Sequence, residues 1–95
     1  MAYTQSLVGG ATRTTVASST SSVTLLAANI QRRQVIIFNN STRNLFLTFG
    51  ATSSATAFSI RLVTFGVFID SEGYTGVISG IWSAVNGDAQ VTEVS

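Results

Sequence analysis

The stretch IIFNNSTRNLFLTFG, from Ile36 to Gly50, decides how this chain folds. Two apolar runs flank the polar segment 39–44, whose Asn and Ser residues favour turns. The pattern predicts two β-strands, 33–39 and 44–49, joined as a β-hairpin. Each apolar run is continuous, however, whereas a sheet with one solvated face alternates apolar and polar residues. Both faces of these strands are therefore expected to be buried against other residues.

Alternation along a strand divides the apolar side chains of this stretch into two sets. The set predicted to face the core comprises Val35, Ile37, Leu45, Leu47 and Phe49. The set predicted to point outward comprises Ile36, Phe38 and Phe46. We expect a neighbouring subunit to cover the outward set. The alternative is that a loop or the N-terminal arm of the same chain covers it.

The rest of the chain repeats this pattern of short apolar segments separated by turn residues. Turn signals recur about every 10 residues, as in antiparallel β-sandwiches and barrels. Asn86-Gly87 is a strong hairpin signal just before a closing segment at 90–94. The sequence therefore predicts an all-β, single-domain antiparallel β-sandwich of the jelly-roll kind.

The N-terminal part of the chain differs in composition from the rest. Residues 1–22 are mostly Thr, Ser, Ala and Gly, which bury too little apolar surface to fold alone. They are predicted to form an extended arm, and residues 23–95 the β-sandwich domain. Within the arm, residues 12–18 have the composition of an additional edge strand.

The chain is poor in charge and rich in apolar residues. Only 9% of its residues are charged, 45% are hydrophobic and the net charge is +1, whereas soluble domains average about 25% charged residues. The weak charge argues against a nucleic-acid partner. No apolar run reaches the roughly 20 residues of a membrane-spanning helix. The apolar surplus predicts burial against protein, in an oligomer or a larger assembly.

The residue types that perform most enzyme chemistry are missing from the sequence. There is no His, Cys or Lys, which removes the commonest general base and the thiolate metal ligands. Asp70 and Glu72 flank a turn, but two carboxylates are too few for a calcium site. We therefore expect no catalytic residues, no metal, no cofactor and no enzymatic activity.

Three arginines and one tryptophan are candidates for contacts with a partner. Arg32, Arg33 and Arg43 are the local concentration of charge, and guanidinium groups suit acidic groups on another protein. The alternative is that all three are solvated. Trp82 is either a core residue or an interface anchor.

Two stretches together resemble a known class of proteins. They are IIFNNSTRNLFLTFG (36–50) and GYTGVISGIWSAVNGDAQVTEV (73–94). Their Gly-Tyr-Thr-Gly, Gly-Ile-Trp and closing Val-Thr-Glu segments are similar to those of small virion proteins of tailed bacteriophages. The resemblance includes the cement, or decoration, proteins that bind the outside of the capsid. It covers residues 23–94 and leaves out the arm.

The resemblance implies a structural role on the outer capsid surface, after synthesis in the cytoplasm of the bacterial host. The implied partners are further copies of the chain, as a homotrimer, and the major capsid protein. A three-fold axis is expected to bring the outward Ile36, Phe38 and Phe46 of three copies together. Two alternatives stay open: a tail, neck or fibre component of the virion, and a small carbohydrate-binding β-sandwich module.

Overall fold

The computed structural model of the chain describes residues 10–95, which form eight β-strands and no helix. The strands are β1 (Ala11–Ala17), β2 (Val23–Leu26), β3 (Gln34–Asn40), β4 (Leu45–Phe49), β5 (Ile60–Leu62), β6 (Val67–Asp70), β7 (Ile78–Trp82) and β8 (Asp88–Val94). Short strands rich in β-branched and aromatic residues suit a pleated, half-buried surface. The all-β prediction is confirmed.

The eight strands form two antiparallel sheets that pack as a sandwich. Sheet A has the order β1-β8-β3-β6, and sheet B has the order β2-β7-β4-β5. The first strand therefore pairs with the eighth, the second with the seventh, the third with the sixth and the fourth with the fifth. This nested pairing is the connectivity of a jelly roll. The predicted fold class is confirmed.

The core lies between the two sheets and contains most of the predicted inward set. Val35, Ile37, Leu45 and Leu47 are all 0% exposed, so the prediction for these residues is confirmed. Phe49 is 38% exposed, and the prediction was wrong there. It is the last residue of β4, where its ring stacks on that of Tyr74 at the rim of the sandwich, with centroids 5.0 Å apart.

The predicted hairpin at 33–49 is instead a crossover between the sheets, because β3 belongs to sheet A and β4 to sheet B. A buried side chain holds this crossover in place. The Nδ2 group of Asn39 donates hydrogen bonds to the carbonyl oxygens of Arg43 (2.8 Å), Leu62 (2.9 Å) and Val63 (3.0 Å). Its Oδ1 accepts one from the Ser41 hydroxyl at 2.7 Å. One amide thus ties the β3–β4 connection to the end of β5.

The predicted hairpin at Asn86-Gly87 is also a crossover, because β7 and β8 lie in different sheets. Gly87 has a φ of 65°, which glycine adopts without steric cost. A Cβ atom there would collide with the carbonyl oxygen of Asn40. The Oδ1 of Asn86 accepts a hydrogen bond from the Thr42 N–H at 2.8 Å. The two crossovers therefore lie against each other at one end of the sandwich.

The connection between β4 and β5 covers part of the outer face of sheet B. Ser53 is buried, its N–H donates to Ser22 Oγ at 2.8 Å, and its hydroxyl lies 3.1 Å from that of Ser79. The ring of Phe58 packs on Phe46 with centroids 4.8 Å apart. On this sheet, a loop of the same chain supplies cover for the outward-facing residues.

Part of the predicted arm belongs to the sandwich. β1 is an edge strand of sheet A and pairs with β8 from Ala11 opposite Val94 to Ala17 opposite Asp88. The suggestion of an edge strand at 12–18 is confirmed. Residues 1–9 of the arm lie outside the described residues.

We predict that Asn39→Asp lowers the free energy of unfolding by at least about 3 kcal/mol, since a carboxylate has no N–H to donate to the three carbonyl oxygens and is left buried against them. Urea denaturation followed by circular dichroism measures the change. Asn86→Asp is the matched control, because the side chain of Asn86 accepts its hydrogen bond from Thr42 and a carboxylate can do the same. Equal stability of the two variants would contradict the role of Asn39.

Candidate functional site

The outer face of sheet A divides into a polar half and an apolar half. The polar half lies on β1 and β8, where Thr15 stands opposite Gln90. The apolar half lies on β3 and β6, where Ile36 stands opposite Ile69 and Phe38 opposite Val67. The boundary between the halves runs between β8 and β3, since Phe38 also stands opposite Gln90.

The apolar half forms a surface that we name the β6 patch, consisting of Ile36, Phe38, Phe65, Val67 and Ile69. Phe65, Val67 and Ile69 are 60%, 54% and 55% exposed, whereas Ile36 and Phe38 are half-buried. The rings of Phe38 and Phe65 stack with an interplanar angle of 8° and centroids 6.1 Å apart. Contiguous exposed apolar residues of this kind mark contact surfaces for other molecules.

The backbone of β6 also has free hydrogen-bonding groups, because β6 is an edge strand of sheet A. Asn39 donates its N–H to the Gly66 carbonyl at 2.9 Å, so Phe38 and Val67 form a non-hydrogen-bonded pair in the ladder. The same alternation makes Ile36 and Ile69 a pair of this type. The N–H and C=O groups of Val67 and Ile69 therefore point away from β3, towards the open side.

Phe65 has a backbone conformation that is unusual for its residue type. Its φ is 57°, in the left-handed region that costs a bulky side chain about 1–3 kcal/mol. The turn that imposes it is closed by a hydrogen bond from the Gly66 N–H to the Val63 carbonyl at 2.8 Å. A strained and exposed aromatic residue at the end of the β6 patch is consistent with a role in binding.

The polar side chains in the polar half of the face form hydrogen bonds with one another. The Thr15 hydroxyl donates to Gln90 Oε1 at 3.2 Å, and Gln90 Nε2 donates to Asp88 Oδ1 at 2.8 Å. Asn40 Nδ2 donates to the same Asp88 oxygen at 3.0 Å. Because these polar side chains bond to one another, the β6 patch remains the part of the outer face of sheet A that exposes apolar side chains.

The structure separates the three outward apolar residues that the sequence placed on one surface. Ile36 and Phe38 lie on the outer face of sheet A, and Phe46 lies on the outer face of sheet B. The reason is the crossover between β3 and β4, which sends the two strands to opposite sides of the sandwich. One flat contact surface cannot include all three residues.

Trp82 lies in the core. Its side chain is buried between the sheets together with Leu45 and Ile78. The core interpretation is confirmed, and the interface-anchor interpretation was wrong. The indole Nε1 has no hydrogen-bond partner among the described residues.

Arg32 is buried, so it does not belong with the arginines available to a partner. Its side chain is 1% exposed and its Nε donates to Glu93 Oε2 at 2.9 Å. Its Nη1 donates to the carbonyl oxygens of Tyr74 (3.0 Å) and Gly76 (2.9 Å), and its Nη2 donates to that of Ala27. The planar guanidinium group, which presents several donors in a fixed geometry, thus joins three segments of the chain.

Arg33 and Arg43 are exposed, but they lie at opposite ends of β3. A strand of 7 residues is about 23 Å long. The two exposed arginines therefore form separate charges rather than the single cluster that the sequence suggested.

Asp70 and Glu72, the two carboxylates that the sequence singled out, adjoin one turn. The Glu72 N–H donates to Asp70 Oδ1 at 3.0 Å in an exposed turn. No group of three or more acidic residues that could hold a metal ion, and no ligand-sized cavity, occurs in this part of the chain. The same part contains no helix long and apolar enough to cross a membrane.

Sequence reasoning missed the exposed members of the β6 patch: Phe65, Val67 and Ile69. The run GVFID at 66–70 is one of the short apolar segments of the sequence, but it was not predicted to be a contact surface. The sequence did contain an indication of this surface. Charged residues and Pro protect exposed edge strands from pairing with other chains, and the four residues of this run before Asp70 include neither. The missing information was that β6 lies at an edge.

Comparisons of the chain with protein-family models, with curated proteins and with solved structures found no match.

We predict that Arg32→Ala lowers the free energy of unfolding by about 3 kcal/mol or more, because it leaves Glu93 without its ion partner and three carbonyl oxygens without donors. Thermal or urea denaturation measures this loss. The neighbouring Arg33→Ala is the matched control and is expected to change stability by no more than about 0.5 kcal/mol, as exposed positions do. A similar loss in both variants would show that the buried network does not support the fold.

Proposed function

We propose that this chain is a structural protein of a tailed-bacteriophage virion, which binds the outer capsid surface as a cement protein and stabilises the shell. The observation that carries the proposal is the β6 patch. Its exposed residues Phe65, Val67 and Ile69 form an apolar surface beside an open sheet edge. Such a surface suits a protein that acts through contact area in an assembly.

The fold is compatible with this proposal. Jelly rolls occur in viral capsid domains, and also in lectins and cupins, so the connectivity alone does not decide the function. The composition adds weight, since a chain with 9% charged and 45% hydrophobic residues has few groups that keep a monomer soluble. The similarity of residues 36–50 and 73–94 to small virion proteins points to the same role.

The proposed partners are other copies of the chain and the major capsid protein. Because Phe46 lies on the sheet opposite Ile36 and Phe38, the argument from the sequence for a homotrimer loses one of its three residues. Self-association therefore has to be argued from the β6 patch. Arg33 and Arg43 are exposed and are proposed to approach acidic groups of the capsid. The proposal includes no enzymatic activity and no cofactor.

The proposed mechanism is mass action. A protein that binds the assembled shell, and not its loose subunits, stabilises the shell by a free energy that depends on affinity and concentration. A single copy adds a modest amount. Many copies repeat that contribution around the particle, so the shell resists heat and internal pressure better.

We predict that virions lacking this protein assemble but release their DNA at a lower temperature than complete virions. Addition of the purified protein restores the original temperature, because binding to the shell is reversible. A fluorescent dye that reports free DNA during heating measures the release. The control is the addition of the same protein after denaturation, which is expected to leave the release temperature of the depleted virions unchanged. Release at equal temperatures with and without the protein contradicts the cement proposal, and favours a tail, neck or fibre location.

We predict that the double change of Arg33 and Arg43 to Ala weakens binding to depleted particles more at low than at high salt. Exposed ion pairs are worth about 0.2–1 kcal/mol each and are screened by salt. Co-sedimentation with particles at two salt concentrations measures the effect. Arg13→Ala is the control, since Arg13 is also exposed but lies on β1, away from the β6 patch. The same loss at both salt concentrations would show that the contact is not ionic.

A further inference from the structure

We infer that the open edge of β6 binds the β6 edge of a second copy of this chain, in an antiparallel pair around a two-fold axis. Two four-stranded A sheets then become one continuous sheet of eight strands. The inference goes beyond the proposed function, since it concerns the purified protein and holds whether or not the chain binds a capsid.

The first argument is the hydrogen-bonding capacity of the edge. Val67 and Ile69 direct their N–H and C=O groups to the open side of sheet A, as their pairing with β3 requires. An identical antiparallel strand offers the same groups in the reverse order. Two such edges form four backbone hydrogen bonds, so that each edge supplies the groups that the other lacks.

The second argument is register. When the two-fold axis passes through Phe68, Val67 stands opposite Ile69 of the second copy, and both residues lie on the outer face. A shift in one direction brings Phe65 into the ladder, and its φ of 57° is not that of a strand. A shift in the other direction brings in Ser71, which lies beyond the end of β6. The register centred on Phe68 is thus the one that uses extended residues throughout.

The third argument is the match of side chains, which favours a second copy over a charged partner. In this register Val67 of each copy stands opposite Ile69 of the other, so apolar side chains contact apolar side chains. Asp70 stands opposite Gly66 of the second copy, so the two carboxylates lie at opposite ends of the pair and do not repel each other at contact distance. A self-complementary patch of this kind is what a two-fold interface requires.

The contact area that a stable complex requires indicates that residues beyond the backbone of β6 take part. A stable complex buries about 800 Å² on each partner, which the backbone pairing of a strand as short as β6 does not reach. Phe65 on the outer side and Phe49 on the inner side are 60% and 38% exposed. The ring of Phe49 lies 5.6 Å from that of Phe68, which faces its own counterpart across the axis. These aromatic rings extend the contact on both sides of the sheet.

Sedimentation and light scattering of the purified protein test the inference. The wild-type chain of 10.0 kDa is expected to have twice that mass, 2 × 10.0 = 20.0 kDa, at micromolar concentration. V67K and I69E are each expected to be monomeric, because each puts like charges near the axis at an apolar contact. A monomeric or trimeric wild-type protein would overturn the inference.

Mixing V67K with I69E tests the register. The introduced lysine then stands opposite the introduced glutamate across the axis, so the mixture is expected to form a heterodimer while each variant alone does not. Two monomers that fail to associate on mixing would overturn the register, and V67K that stays dimeric would overturn the use of this edge. The matched control is T15K, which places the same charge on β1, at the other edge of sheet A, and is expected to remain dimeric.

Amide hydrogen exchange on the wild-type protein supplies a readout that needs no variant. The N–H groups of Val67 and Ile69 are unbonded in the monomer and bonded in the dimer. Their exchange is expected to slow at least tenfold as the concentration rises above the dissociation constant. The N–H of Phe68, which pairs with Ile37 in both states, serves as the internal reference. Fast exchange at Val67 and Ile69 at every concentration would overturn the inference.

Phe65→Asn separates binding from folding. Asparagine tolerates a positive φ better than phenylalanine, so the variant is expected to unfold at a higher denaturant concentration when measured as a monomer. It is also expected to dimerise at least tenfold more weakly, because the exposed ring is lost. Unchanged dimerisation would overturn the interface described above, which relies on the ring of Phe65 for part of its contact area.

Discussion

The buried amide of Asn39 is the interaction on which the rest of this structure depends. It lies where the chain leaves sheet A, and it donates to three carbonyl oxygens, which belong to the β3–β4 connection, the end of β5 and the β5–β6 connection. Because a buried polar group that loses its hydrogen bonds costs free energy, this arrangement permits few alternatives for the path of the chain. The crossover that it holds sends β3 and β4 to opposite sides of the core, so that two similar apolar runs acquire different neighbours.

The two outer faces of the sandwich are consequently unequal. Sheet B carries the β4–β5 connection on its outer face, with Ser53 bonded to Ser22 and near Ser79. Sheet A is divided between a row of mutually bonded polar side chains and the β6 patch. Because a loop partly covers one face and the other face exposes the β6 patch, the two faces differ in the contacts that they offer to an assembly.

The sequence predicted the strands and the core well, because these depend on local patterns. Alternation within β3 and β4 identified Val35, Ile37, Leu45 and Leu47 as inward residues, and turn residues marked the ends of most strands. The partners of the strands could not be predicted in the same way. Asn86-Gly87 favours a hairpin locally, yet the chain there crosses between sheets, because pairing depends on the nested order of all eight strands.

The candidate site was predicted less well, for a related physical reason. Burial of Arg32 depends on Glu93 and on carbonyl oxygens from distant segments, which no local pattern reveals. The exposure of Val67 and Ile69 depends on the position of β6 at a sheet edge. Ile36 and Phe38 were identified because their alternation with core residues is local. The sequence therefore identified residues whose orientation follows from alternation within one strand. It did not identify residues whose burial or exposure depends on how the strands are arranged.

The nested pairing of strands also has a consequence for how fast the molecule forms. β1 has no partner until β8 has been synthesised, since Ala11 stands opposite Val94. Among the described strands, only β4 and β5 are both consecutive and paired. Folding is therefore expected to begin at this central hairpin and to add pairs outward, closing longer loops at each stage. Folds dominated by such non-local pairing fold in milliseconds to seconds, so the apolar edges of this chain stay open to aggregation while the outer pairs are still missing.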